Sequence, residues 1–476
     1  MRSAFLLVIW ASLLQNISSS VQNYHNYSEI CDKLDYLAKK YYNAKLYSIG
    51  TSSKGKALQV LKIGSNSDDI PLIPDIKLIG GLHGNVPIGT EILIKLSEHL
   101  LENYGINEEI TKIVDSVNIH ILPSLNPDGF ELAKEGLCQE GPGRGNANGA
   151  DLNRNFPSVR LQASGEHQPE TIAVMQWMLE QHFMLSLTLN GGALVATYPY
   201  DMGKNNNSKR PHAHLTEDDE EFKHLARKYV REHPYMADRS SCPYNPNTFD
   251  RGIVNGAQWI PLKGTMQDYN YDFHGCLELN IAISCCKYPH PQNIEKLWKD
   301  NKRALIEFIK ESYRGVRGIV THDSKPVMDA TVTIISRSME YKTTSKGEYW
   351  RYLLPGKYYL KVEKNGFKTV TSSIVIPKQE GYLVRNIELK DKEVDDSDVL
   401  AQYEYSEEEF VNPVKKFSEK KFFEVLFTND LNTLEQADEF NFNPDIDIDS
   451  GFKTTASISI IVSILIALMQ NFDFLL

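Results

Sequence analysis

Between residues 25 and 313 the chain alternates strand-like and helix-like stretches, and from Gly315 to Leu389 it is strand-like throughout. That switch constrains the fold more than any other feature. "HNYSEICDKLDYLAKKYY" places its apolar residues at helical spacing, and "LYSIGTS" with "LQVLKIG" predicts a hairpin. "DIKLIGGLHG" is a buried strand ending in glycines, followed by the amphipathic helix "IGTEILIKLSEHLLENYG", closed by Gly105. "VNIHILPSLNPDGF" predicts a strand leading into a turn, residues 167–181 a helix, and "FMLSLTLNGGALVATYPY" a strand followed by a loop. "FKHLARKYVREH" and "NIEKLWKDNKRALIEFIKES" complete the helices. The alternation predicts an α/β domain over residues 21–314, a mixed central sheet flanked by helices, with polar clusters on loops at strand ends. Short strands with Gly and Asn turns then predict a small β-sandwich over residues 315–390.

The ends of the chain differ from its middle. Met1 to Ser20 holds one basic residue, a short apolar run from Ala4 to Leu14 and then small polar residues, the pattern of a secretory signal peptide cleaved near Ser18 to Ser20. Residues 391–450 contain 18 acidic against 5 basic residues, a net of -13 in a chain whose total is -11, and read as a flexible acidic stalk. Residues 451–476 carry "ASISIIVSILIALM" after a small-residue polar stretch and before "QNFDFLL". With no Lys or Arg after it, this predicts a lipid-anchor signal with attachment near Ser450 or Gly451; a single membrane span is the rival. Both ends place the protein outside the cell or on the outer face of the plasma membrane. No basic tract suits nucleic acid. The six cysteines (31, 138, 242, 276, 285 and 286) allow up to three disulfides in such a compartment, and Asn26 and Asn206 lie in glycosylation acceptor sequences.

The motifs "GGLHGN", "LPSLNPDGFE", "GRGNANGADLNRNFPS", "QPETIAVMQWM", "NGAQWI", "GTMQDYNY" and "CLELNIAISCCKYP" stand in one chain order. Together they resemble the zinc metallocarboxypeptidases of the regulatory branch, the E, M, N and D types, and the architecture with a C-terminal anchor is most similar to the M type. "GEYWRYLLPGKYYLKVEKNGFKTVT" resembles the transthyretin-like domain that follows the catalytic domain there. The resemblance covers about residues 24–389. It implies removal of a C-terminal Lys or Arg from peptides, with zinc as cofactor if that activity is retained.

Carried over residue by residue, the resemblance predicts a damaged centre. His83 matches the first zinc ligand, but Val86 stands where the second, a Glu, belongs, and Asn190 where the third, a His, belongs. Ala282 replaces the Glu that serves as general base, although Glu278 on the same segment is kept, and Ile260 replaces the Tyr that closes over the substrate. The other end of the pocket is intact. Arg144, Asn153 and Arg154 match the residues that hold the terminal carboxylate and scissile carbonyl, and Asp201 and Gln267 lie where the family shapes its pocket for a basic side chain.

The chemistry leads to the same expectation without the family. Catalytic zinc takes three protein ligands and keeps one position open. An alkyl group and a neutral amide do not replace a carboxylate and an imidazole, and Ala282 takes no proton. Glu91 lies two helical turns past His83 and faces elsewhere. No metal is therefore expected. His83 is expected to hydrogen-bond its own turn, Asn190 to cap the loop before Gly191, and Asp151 to pair with Arg154. Two arginines and an amide at one point remain a ready carboxylate site, since guanidinium forks match carboxylates. Three functions compete: an inactive, anchored or secreted protein binding peptide C-termini, with a basic last residue preferred; an active carboxypeptidase with an atypical site; and a structural or adhesion protein with an idle pocket.

Overall fold

A computed structural model describes residues 23–65, 70–159, 166–204, 211–238, 242–243, 247, 249–379 and 381–392. The expected signal peptide, Asn206, the acidic stretch beyond residue 392 and the terminal apolar run lie outside the described residues. Among the described residues no helix is long and apolar enough to cross a membrane.

In chain order the first part comprises α1 (Tyr27–Lys40), β1 (Ala44–Thr51), β2 (Ala57–Ile63), β3 (Asp75–Ile79), α2 (Ile88–Asn103), α3 (Glu108–Ser116), β4 (Asn118–Leu122), α4 (Pro127–Leu132), α5 (Pro169–Glu180), β5 (Phe183–Asn190), β6 (Ala193–Tyr198), α6 (Asp219–Glu232), β7 (Ile253–Asn255), α7 (Gly256–Trp259), α8 (Met266–His274), β8 (Leu277–Ser284) and α9 (Ile294–Lys310). The eight strands form one mixed sheet in the order β1-β2-β4-β3-β5-β8-β6-β7. The centre, β4-β3-β5-β8, is parallel, and its strands are almost wholly buried, as runs such as Ile76–Ile79 and Leu185–Leu189 require. The chain leaves β3 toward β4 on one side and later adds β5 on the other. The carboxyl ends of β3 and β5 therefore flank the topological switch point, where open α/β sheets place their ligands.

The structure corrects three local expectations. "ALVATY", read as loop, is strand β6, and it pairs with β8 rather than with its sequence neighbour β5. The turn expected after "LPSLN" is the short helix α4, with Asn126 capping it through a bond from the Gly129 N–H. Asn107 likewise starts α3, which the sequence reading lacked. Two disulfides form, Cys138–Cys286 and Cys242–Cys285, while Cys31 and Cys276 are free thiols.

The sandwich contains β9 (Gly315–His322), β10 (Lys325–Pro326), β11 (Thr331–Ile334), β12 (Glu340–Lys342), β13 (Glu348–Arg351), β14 (Gly356–Glu363), β15 (Val370–Ile376), β16 (Tyr382–Val384) and β17 (Ile387–Glu388). One sheet centres on β9 and the other runs β12-β11-β14-β15, with Val316, Val320, Val332, Leu360, Val362 and Ile374 among the residues packed between them. Charged groups join the sandwich to the α/β part. Arg351 donates to both oxygens of Asp218, at 2.6 and 2.7 Å, and Arg337 pairs with Asp218 and with Glu221 at 2.8 Å.

Candidate functional site

β3 delivers His83 at the switch point. The turn after it is tight: the Val86 N–H donates to the His83 carbonyl at 3.0 Å. Gly84 lies so close to α4 that a Cβ there would stand 2.2 Å from the Gly129 carbonyl carbon, so this position requires glycine. His83 does not bond its own turn, contrary to expectation. Its Nε2 lies 2.9 Å from Asp151 Oδ1, because the strand end aims the ring at the "GADLNR" loop. Asp151 does not pair with Arg154 either. Its Oδ2 accepts from Arg144 Nε and Nη2, at 3.1 and 2.9 Å, while the turn at Leu152–Arg154 swings Arg154 away to donate to the Asn153 carbonyl at 2.7 Å.

Electrostatics fix the proton in this group. Burial pushes the His83 imidazole below its ordinary value, against the opposing bond to Asp151. Burial alone would raise Asp151, but the bond from His83 and the charges of Arg144 and Arg154 outweigh it and hold the carboxyl well below the usual range. Asp151 is thus an anion and His83 neutral. Nε2 carries the proton, and Nδ1 is buried with no hydrogen-bond partner among the described residues.

The positions expected to complete a metal site carry neither carboxylate nor imidazole. Val86 is 1% exposed and belongs to the main apolar core. A Cβ on Gly191 would lie 3.2 Å from one of its methyls. The Asn190 side-chain oxygen accepts from the Gly191 N–H at 2.9 Å, capping its loop as expected. Asn190 and Ala282 are direct partners in the β5–β8 register. Ala282 packs in an apolar cluster with Ala193, Val195 and Phe249, which Trp259 joins from the side. Glu91 takes no part: it accepts from His25 N–H at 2.8 Å and lies 2.9 Å from His25 Nδ1. One imidazole nitrogen, one amide oxygen already engaged and an alkyl group do not fit a catalytic zinc. Among the described residues no group of three His, Cys, Asp or Glu side chains is arranged to hold a metal ion.

Beneath this layer is a buried polar network that the sequence reading missed. Lys77 on β3 lies 2.8 Å from Ser186 and 3.3 Å from Glu278, and Glu278 also accepts from Ser186, Thr188 and Asn270. The signal was present: a lone Lys inside the apolar "DIKLIGG" needs a buried partner. The kept Glu278 is that partner, and its carboxylate is fully committed to the sheet.

At the expected carboxylate end, Asn153 and Arg144 are linked through Asp151. Asn153 accepts the Met266 N–H at the start of α8 through its side-chain oxygen, at 3.0 Å, so its amide N–H groups remain as donors. Its backbone N–H donates to Asp151 at 3.0 Å, which ties Asn153 to Arg144 and His83 in one bonded group. Asp201 is buried, with Gln267 Nε2 at 3.3 Å, and a Cβ on Gly256 would collide with its Oδ1. Next to it Asp268 accepts the backbone N–H groups of Asp201 and Met202, at 2.8 and 2.9 Å. Burial pushes the Asp201 carboxyl up to about 6, although Thr265 and Arg154 pull the other way. Burial and the Asp201 charge raise Asp268 as well. Ile260 follows α7 and is 49% exposed, an apolar surface where a closing Tyr was expected.

A mixed eight-stranded sheet flanked by helices and followed by a β-sandwich is the architecture of a regulatory-type carboxypeptidase. The zinc carboxypeptidase sequence profile matches residues 30–304, and the carboxypeptidase regulatory-like domain profile matches residues 315–390. The chain is 38% identical over 375 residues to carboxypeptidase M of Mus musculus, covering 78% of this chain and 84% of the relative. It is 37% identical over 394 residues to carboxypeptidase D of Homo sapiens, covering 79% of this chain but 28% of that longer protein. Carboxypeptidase Z of Mus musculus is 37% identical over 383 residues, covering 74% of this chain and 58% of the relative. The chain belongs to the zinc carboxypeptidase family.

Proposed function

We propose that this protein is a carboxypeptidase-family member without peptidase activity that binds peptides or protein C-termini through their free carboxylate, preferring a basic last residue. One observation carries the reading. Val86, Asn190 and Ala282 offer no metal-binding carboxylate or imidazole and no proton acceptor, while Arg144, Asn153 and Arg154 are linked by hydrogen bonds through Asp151 and the Asn153 carbonyl. Arg144 and Arg154 together outweigh the single charge of Asp151, so the group attracts an anion. The signal-peptide pattern and the terminal apolar run support a place on the outer face of the plasma membrane or in the secreted fluid, and zinc has no role in this reading.

Each charge-assisted bond to the carboxylate contributes about 1.5–3 kcal/mol. After the cost of ordering the peptide, two or three of them give micromolar to millimolar affinity. The test is calorimetric titration of the purified protein with a peptide ending in free Arg and with the same peptide amidated, alongside zinc analysis and an assay for Arg release. Amidation is expected to weaken binding about tenfold, with no stoichiometric zinc and no release. Equal affinities would leave the pocket idle, and zinc lost on His83→Ala together with Arg release would establish the atypical enzyme.

The basic preference carries its own pH dependence. Above about pH 6 Asp201 is ionised and attracts a guanidinium; below it the carboxyl is neutral and the attraction goes. The affinity ratio of Arg-ended to Ala-ended peptide is therefore expected to fall toward one between pH 7.5 and pH 5, about one and a half units above and one unit below that value. In Asp201→Asn it is expected to stay near one throughout. A ratio constant with pH in the unmodified protein would remove Asp201 from the recognition.

A further inference from the structure

His83 is the one member of the expected ligand set still in place, and its free atom has changed role. Among the described residues the groups that hydrogen-bond Asp151 are donors: Arg144 twice, the Asn153 N–H and His83 Nε2. With Nε2 donating to that carboxylate, the neutral ring carries its lone pair on Nδ1, and the ring is only 4% exposed. Nδ1 has no partner, and neither side-chain atom of Asn85, two residues on, has one among the described residues. Buried acceptors without a donor are rare, and at a binding site they mark a group that arrives with the ligand. A metal ion would offer positive charge here and draw in a carbonyl oxygen. A lone pair does the reverse: it repels that oxygen and attracts an N–H.

We infer that His83 Nδ1 accepts a hydrogen bond from the α-nitrogen of the bound residue whose carboxylate rests on Arg144, Asn153 and Arg154. The inference rests on the carboxylate-binding reading and adds to it the second atom of the ligand that is recognised. Two sources share this chemistry: the last peptide N–H of a C-terminus, and the α-ammonium of a free amino acid. Asp151 binds His83 through one oxygen and Arg144 through the other, both at 2.9 Å, so acceptor and carboxylate site are held by the same side chain. The rim beside them is Lys287, whose stem lies against Gly192 and whose ammonium pairs with Glu140 at 2.7 Å. Glu140 is mostly exposed, and an ion pair of that kind yields readily to an entering chain.

The test changes one atom of the ligand, so it needs no altered protein. The full-length protein in detergent is titrated with a peptide ending in free Arg, with its analogue in which an ester oxygen replaces the last peptide N–H, and with the C-terminally amidated peptide. The ester is expected to bind about five- to tenfold more weakly than the amide-linked peptide, the loss of one buried hydrogen bond. In His83→Ala the two are expected to bind alike. Free arginine compared with 5-guanidinopentanoate, which lacks the α-ammonium, separates the two sources, and the larger loss identifies the source in use. Ester and amide of equal affinity, with the amidated peptide still weaker, would overturn the role of His83 and leave the carboxylate site standing. Equal affinity of all three would overturn the carboxylate site itself.

Discussion

Replacing Arg351 with Ala is expected to lower the unfolding free energy by about 3–5 kcal/mol, the cost of leaving one member of a buried ion pair alone. Arg351 is 2% exposed and holds both oxygens of Asp218, which is fully buried. Tyr271 donates to the same carboxylate at 2.7 Å from α8, and Arg337 reaches it from the loop after β11. Burial would raise Asp218, but the charges of Arg351 and Arg337 hold it below the ordinary carboxylate value. With the arginine gone, Asp218 either stays charged without its main partner or takes up a proton, and both outcomes cost stability. The sign with pH follows. A depressed carboxyl stabilises the fold above its unfolded pKa, and that contribution is lost as pH falls through the folded value. The interface is therefore expected to weaken in acid. Urea unfolding followed by tryptophan fluorescence measures this, since Trp350 borders the interface and Trp177 lies in the α/β core. The unmodified protein is expected to give one transition and Arg351→Ala an earlier one, or two. An unchanged midpoint would show that the sandwich holds without the pair. Arg351→Met combined with Asp218→Leu is expected to recover most of the loss, because the pair's value lies chiefly in not being half removed.

What the sequence disclosed and what it hid divide along one physical line. Local patterns were legible: the helices from their 3.6-residue spacing, β3 from its apolar run, the switch to short strands at Gly315. Single positions were legible as residue types too: Val86, Asn190 and Ala282 are apolar or neutral wherever the fold puts them. Non-local pairing was not legible. The sequence around β6 predicts a loop because its partner β8 arrives about 80 residues later and inserts beside β5. Chain proximity predicts Arg154 as the partner of Asp151, whereas the turn between them sends Arg154 to the Asn153 carbonyl and Arg144 comes in from the other side. The pairing of Lys77 is hidden in the sequence because its partners Ser186 and Glu278 are brought to it by two further strands. In each case the chain neighbour was the wrong neighbour, and the sheet supplied the right one.

Placing a carboxylate at Val86 and an imidazole at Asn190 is expected to give a protein that zinc stabilises strongly. The scaffold retains what a metal site needs around its first ligand: Asp151 fixes the His83 ring with Nδ1 unpartnered. Val86 lies one turn from His83, and Asn190 abuts it through Gly191. Val86→Glu alone is expected to destabilise by several kcal/mol, since it places a carboxylate in the apolar core without a partner. Adding Asn190→His supplies the third ligand, and zinc then neutralises the buried charge. At a thousandfold excess over its dissociation constant the metal would add about 4 kcal/mol of stability, read as a rise in the thermal midpoint on zinc addition and a fall on chelation. The unmodified protein is expected to show neither. Release of C-terminal Arg is expected only when Ala282→Glu is present as well. A general base contributes about 10²–10⁴-fold, and the methyl now packed near Phe249 and Trp259 contributes none. The double variant without the base thus serves as the control, loaded but nearly inert. Failure of the double variant to take up zinc would mean that Val86 and Asn190 are not placed as ligands around His83. A zinc-dependent midpoint in the unmodified protein would show that a donor outside this set already completes the site.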